Sequence, residues 1–146
     1  MPERDYSATP LSRKLGIRAG SQVALIGAPD GFKALLEPIP PDASVQTDAA
    51  GADVVILFAS ERAQLDPAFG RLAEALSADG AVWVAWPKKS ARVPTDLSFA
   101  AVQSTGLATG LIDNKSCSID ETWQALRFVV RLADRPARQN RPVSRA

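Results

Sequence analysis

Three short runs of apolar residues constrain this chain more than any other feature. They are Val23-Ala24-Leu25-Ile26-Gly27, Val54-Val55-Ile56-Leu57-Phe58-Ala59 and Ala81-Val82-Trp83-Val84-Ala85-Trp86. Each run is continuous rather than alternating, which reads as a strand buried on both faces. Strands of that kind belong in a parallel sheet with helices packed on its two sides, reached by right-handed crossovers. At 146 residues the chain amounts to one ordinary domain. A domain of that size buries roughly 68–70% of its unfolded surface, so its core needs no metal or disulfide. Hydrophobic residues at 46% and charged residues at 23% exclude a disordered, collagen-like or coiled-coil chain.

The segments between the runs carry helix and turn signals. Thr9 to Gly16 predicts a short helix, with Thr9 as cap, Pro10 at the first helical position and Gly16 as stop. Ala28-Pro29-Asp30-Gly31 is a loop, and Phe32 to Glu37 a short helix ended by Pro38. Ala43 to Thr47 gives a weak second strand. Asp66 and Pro67 predict the cap and first turn of a helix carrying Phe69, Leu72, Ala73 and Leu76, ended by Asp79-Gly80. Pro94-Thr95-Asp96 opens another helix through about Thr105. Leu111 to Ile119 and Trp123 to Leu132 read as two strands joined by Asp120-Glu121-Thr122. The expected architecture is a three-layer, Rossmann-like α/β fold: a mostly parallel sheet with a C-terminal antiparallel hairpin.

Composition removes whole classes of chemistry. There is no histidine and a single cysteine, Cys117. Ser-His-Asp and Cys-His triads, His-ligated metal sites, Cys-rich zinc sites and intramolecular disulfides are therefore excluded. The lone cysteine, the lack of a signal-peptide core in Met1-Pro2-Glu3-Arg4-Asp5 and the shortness of every apolar run predict a cytoplasmic protein without a membrane span. Net charge is +1, but unevenly placed: residues 131–146 carry five arginines against Asp134. Residues 1–133 are read as the domain. Residues 134–146 are read as a basic, disordered tail, either a solvated segment or an arm for nucleic acid or a protein partner. No aromatic residue is interleaved there for base stacking.

Three groups of residues are candidates for binding. Gly27, Asp30 and Gly31 form the turn after the first apolar run, where open α/β sheets hold ligands; the plain alternative is an ordinary strand-to-helix turn. Pro87, Lys88, Lys89, Arg92, Thr95 and Asp96 place cations before an expected helix start, suited to a phosphate or carboxylate; the alternative is a solvated loop with Thr95 or Asp96 capping the helix. Strand alternation puts Asp113, Lys115 and Cys117 on one face, near Asp120, Glu121 and Trp123. A buried Lys115 there would have a shifted pKa, while the alternative is a structural ion pair. Trp83 is expected in the core, and Trp86 and Trp123 partly exposed.

The order of elements after Val54 is similar to the C-terminal half of class I S-adenosylmethionine-dependent methyltransferases. The chain also resembles a bacterial domain-of-unknown-function family. The carrying stretches are Tyr6-Ser7-Ala8-Thr9-Pro10-Leu11, Lys14-Leu15-Gly16-Ile17, Val23 to Phe32, Trp83 to Lys89, Val93-Pro94-Thr95-Asp96, Gly110 to Lys115 and Asp120-Glu121-Thr122-Trp123. They span about residues 6–131. The methyltransferase resemblance implies S-adenosylmethionine on the turn after the first strand and an acidic residue after the second. Asp48 is the only near match for that acid, and Pro29 removes one backbone N–H from the turn.

The leading expectation is a non-enzymatic or regulatory module holding a small anionic ligand at the carboxyl edge of the sheet, between Gly27–Gly31 and Pro87–Asp96. The alternatives are a small-molecule methyltransferase with an atypical cofactor turn, and an adaptor acting through the Arg-rich tail. No catalytic residue and no metal ligand is assigned.

Overall fold

The computed structural model describes residues 10–139. Six strands form one sheet: β1 (Gln22–Ile26), β2 (Ser44–Gln46), β3 (Val54–Phe58), β4 (Ala81–Pro87), β5 (Ile112–Ser118) and β6 (Trp123–Val129). Their spatial order is β2-β1-β3-β4-β6-β5. The first four are parallel, while β6 runs antiparallel to both β4 and β5. The three apolar runs are thus the three inner parallel strands, and β3 and β4 are buried along their whole lengths. A continuous apolar strand fits only where both of its faces are covered.

One face carries the two long helices, α3 (Arg62–Ala75) and α4 (Phe99–Ala108). Leu65, Phe69 and Ala73 recur every fourth residue, so they share one side of α3 and all are buried. Phe69 meets Phe128 edge to face, with ring centroids 5.0 Å apart. Gly106 on α4 lets that ring close in, since a Cβ there would lie 2.0 Å from Phe128. The opposite face is covered by two single-turn helices, α1 (Leu11–Lys14) and α2 (Phe32–Leu35). There the fully buried Trp83 donates its indole N–H to the Leu15 carbonyl at 2.9 Å, fixing the N-terminal segment on the sheet.

Several boundaries differ from expectation, each for a local reason. Pro10 occupies the cap position of α1, and Thr9, the expected cap, lies outside the described residues. Helix α3 starts four residues before Asp66, because Glu61 and Gln64 form a reciprocal capping box. Pro67 lies inside it, and Asp66 accepts a hydrogen bond from Thr105 of α4. Helix α4 starts at Phe99 rather than Pro94, with Ser98 as its cap, accepting from the Ala101 N–H at 3.1 Å. Residues 135–139 form a helix, α5 (Arg135–Gln139), where disorder was expected. Arg138 donates to the carbonyls of Ala73 and Leu76 at 2.7 Å each, at the last turn of α3, which the helix dipole makes favourable for a cation. The rest of the basic tail lies outside the described residues. Among them no helix is long and apolar enough to cross a membrane, and no group of acidic or sulfur ligands could hold a metal.

Candidate functional site

At the carboxyl edge of the parallel strands, the sheet order sets the strand ends side by side. The turn after β1 stands next to the end of β2 on one side and the end of β3 on the other. Gly27 and Gly31 both have left-handed backbones, φ +70° and +85°, which a residue with a Cβ adopts only at a cost. A Cβ on Gly27 would also lie 3.1 Å from the Phe58 carbonyl of β3, so the β1 turn sits tight against its neighbour.

On the β2 side the same turn opens into a cleft of about 450 Å³. Its walls are Ile26, Gly27, Ala28 and Gly31 from the turn, and Val45, Gln46 and Thr47 from β2 and its exit. Among the described residues, Lys33, on α2, is the only charged one in its walls. Asp48, the acid that the methyltransferase resemblance places here, does not line the cleft. Its carboxylate accepts the Ala50 N–H at 2.8 Å, closing a local turn. Gln46 supports that turn by donating to the carbonyls of Asp48 and Ala50.

The second group of expected residues is organised differently. Pro87 ends β4 buried, and Lys88 is fixed to the hairpin: its N–H donates to the Thr122 carbonyl at 2.7 Å and its ammonium to the Ser118 hydroxyl at 2.6 Å. Thr95 donates to the Ser60 carbonyl and accepts the Leu97 N–H. Asp96 accepts the Arg62 N–H at 2.8 Å. The expected helix start at Thr95 is therefore absent. Thr95 and Asp96 instead reach back to the segment that follows β3, and Asp96 helps cap α3. Lys89 lies in a single 3₁₀ turn at the surface, and Arg92 just after it adopts φ +59°.

These two groups leave the same edge, but β3 stands between them, an offset of two strand spacings or about 10 Å. The cleft opens on the far side of β1, and none of Pro87 to Asp96 lines it.

The third group is divided by a β-bulge. Asp113 stands opposite Phe128 and Lys115 opposite Arg127, leaving Asn114 as the extra residue. An extra residue reverses the alternation. Asp113 therefore faces the α4 side, where Gln103 donates to it at 3.2 Å, while Lys115 and Cys117 face the α1 side. Lys115 is exposed rather than buried beside carboxylates. Burial pushes the Cys117 thiol up despite the nearby Lys14 and Lys115, so it is held as a thiol rather than an activated nucleophile. Asp120 accepts the N–H groups of Thr122 and Trp123 at 2.8 Å, shaping the hairpin turn.

Of the tryptophans, Trp86 is buried at 2% exposure, against the expectation of a partly exposed ring, because Phe99 at the start of α4 closes over it. Trp123 is half-buried, edge to face on Phe58, which in turn meets Phe32. Lys33 and Thr47 were not among the sequence candidates. Their signal was faint: a cation on the first turn after Gly31, and a hydroxyl at the exit of the weak second strand.

The arrangement has known counterparts. A TehB-like S-adenosylmethionine-dependent methyltransferase from Corynebacterium glutamicum superposes with a TM-score of 0.51 at 14% identity, covering 77% of this chain and 82% of that one. A precorrin-6y C5,15-methyltransferase from Geobacter metallireducens gives 0.57 at 10% identity, covering 83% and 86%. An O-methyltransferase from neocarzinostatin biosynthesis, solved with S-adenosylmethionine, gives 0.61 at 16% identity, and this chain spans only 53% of its length. At such identities the likeness shows the fold, which is that of class I methyltransferases. No family model and no curated protein matches the chain.

Proposed function

We propose that the chain binds a small adenosine-containing ligand of the S-adenosylmethionine class in the β1–β2 cleft, and so acts as a reduced methyltransferase-type domain. The observation that carries this reading is the open cleft itself. A turn folded into it would have argued against any cofactor, whereas here the turn leaves about 450 Å³ beside the backbone of Gly27 to Gly31. The lining suits the parts of such a ligand. Leu25, Ile26 and Val45 offer apolar contact to a base, Thr47 a hydroxyl to a ribose, and Lys33 a cation to a carboxylate. When bound, the ligand would supply an electrophilic methyl group. The chain's own residues hold and orient it, and no general base is assigned.

A second reading, a non-enzymatic module for a small anion, is favoured by one observation. Among the described residues, Lys33 is the only charged one lining the cleft, and the Asp48 carboxylate is engaged in its own turn.

Thermal shift and calorimetry at fixed ionic strength separate the two. A ligand that binds only the folded state raises stability by about 2.7 kcal/mol at a hundredfold excess over Kd. Stabilisation by S-adenosylmethionine and S-adenosylhomocysteine, lost in Gly27→Ala, supports the first reading. Stabilisation by phosphate or nucleotides alone replaces it with the second. Silence from every ligand rejects both.

A further inference from the structure

We propose that the α1-side face of the β5–β6 hairpin is a binding surface for the phosphodiester backbone of single-stranded nucleic acid. It is independent of the β1–β2 cleft.

The Asn114 bulge sets Lys115 directly opposite Arg127, on the face that also carries Cys117 and Trp123. Two like charges directly opposite each other across an antiparallel pair are destabilising. Without the bulge, the alternation would have put Lys115 on the other side. Arg127 is half-buried, and its guanidinium donates to the Asn114 side chain at 3.2 Å, so the inserted residue orients one cation while it delivers the other.

Neighbouring elements add charge of the same sign. Burial lowers the Arg127 pKa from its ordinary value, and the like charges of Arg18, just beyond α1, and Arg135, at the start of α5, lower it further. Lys14 and Lys115 both act on Cys117. Among the described residues, Lys14, Arg18, Lys115 and Arg127 have no carboxylate at ion-pair distance. The acids of the same hairpin lie elsewhere: Asp113 faces the α4 side, and Asp120 and Glu121 form the turn.

The occupant follows from the extent of this strip. Lys14 on α1, Arg18 at its exit, Lys115 on β5 and Arg127 on β6 lie along one sheet face, more than a single phosphate or carboxylate contacts. A chain of phosphates matches such a row, and a flat sheet face suits a strand rather than a duplex groove. Among the described residues, Trp123, half-buried at one end, offers an aromatic surface beside it.

The test is fluorescence anisotropy with labelled oligo-U and oligo-dT of about 12 nucleotides, spanning a site of typical size. The full chain is titrated from low to physiological salt. Affinity should fall steeply with salt, with a log–log slope of about −0.7 per neutralised phosphate. Arg18→Glu with Lys115→Glu alters two exposed residues and should keep the native Tm, while weakening binding by about tenfold or more and flattening the slope. Arg71→Glu, on an exposed position of α3 across the sheet, should bind as the native chain does. Ending the chain at Gln139 should leave affinity within about threefold and the salt slope unchanged, because none of residues 140–146 belongs to the strip. The proposal is overturned if no salt-dependent binding is seen, if the double variant binds normally, or if removing residues 140–146 abolishes binding. Preference for a poly-glutamate peptide over both oligonucleotides would overturn it too. Agreement of the two oligonucleotides supports backbone recognition, and a preference for oligo-U adds the 2′-hydroxyl.

Discussion

The turn after β1 and the strap after β4 leave the same edge of the sheet, on either side of β3, and they use their polar groups in opposite ways. The β1 turn, Gly27 to Gly31, holds two left-handed glycines against β3 and presents backbone to a cleft. The strap, Lys88 to Leu97, is richer in charge, yet Lys88, Thr95 and Asp96 are all bonded to neighbouring elements. A motif with cations beside a hydroxyl and a carboxylate looks like an anion site in one dimension. In three dimensions three of its six polar side chains are bonded to neighbouring elements, whereas the sparser turn keeps open space beside it. Ligand capacity follows the groups left unengaged, not the number present.

Substitutions can break or sharpen this contrast. The largest effect is expected for Gly27→Ala. A left-handed backbone with a Cβ costs about 1–2 kcal/mol, before counting the crowding against Phe58. At about 3 °C per kcal/mol for a chain of this size, the Tm should fall by roughly 3–6 °C. Ligand-induced stabilisation should vanish with it. If it survives, the cleft is not the site.

Asp96→Ala comes next. It removes a side-chain acceptor from the first turn of α3 and should cost about 1 kcal/mol, while Asp96→Asn, which can still accept the Arg62 N–H, should cost little. Chemical denaturation measures both. Neither should change the ligand response, and if either does, the strap takes part in binding after all. Lys88→Met loses the bond to Ser118 and should cost about 0.5–1 kcal/mol, again with an unchanged ligand response. Lys33→Gln should have the smallest effect on stability, within about 0.5 kcal/mol, because the residue is exposed. It should still weaken a carboxylate- or phosphate-bearing ligand by about tenfold in calorimetry, the loss of one charge-assisted hydrogen bond. Equal affinity in this variant would remove Lys33 from the site.

The inner sheet was legible in the sequence because its signal is one-dimensional. Val23–Gly27, Val54–Ala59 and Ala81–Trp86 are apolar without a break, and only a strand covered on both faces explains that. The hairpin was legible from Asp120-Glu121-Thr122 between two strand-like segments. Helix starts were less so, since a capping box at Glu61 and Gln64 overrides the local appeal of Asp66-Pro67. The strap misled for the same reason: Asp96 is engaged by Arg62, a residue 34 positions away. The bulge was invisible because a single inserted residue leaves no compositional trace, yet it moves Lys115 across the sheet from Asp113. Of the candidate site, the glycine turn could be read directly. Thr47 and Lys33 could not, because they reach the cleft only once β2 pairs alongside β1.

The bond from Trp83 to the Leu15 carbonyl has an optical consequence. An indole with no solvent contact and a fixed partner emits at shorter wavelength than one facing water. Trp86 is similarly enclosed by α4, and Trp123 is only half covered. A red shift that appears before global unfolding, in a chain where Trp123 is replaced by Phe, would report α1 lifting off the sheet. The same signal would follow whether anything bound beside Arg18 presses that segment down or pulls it away.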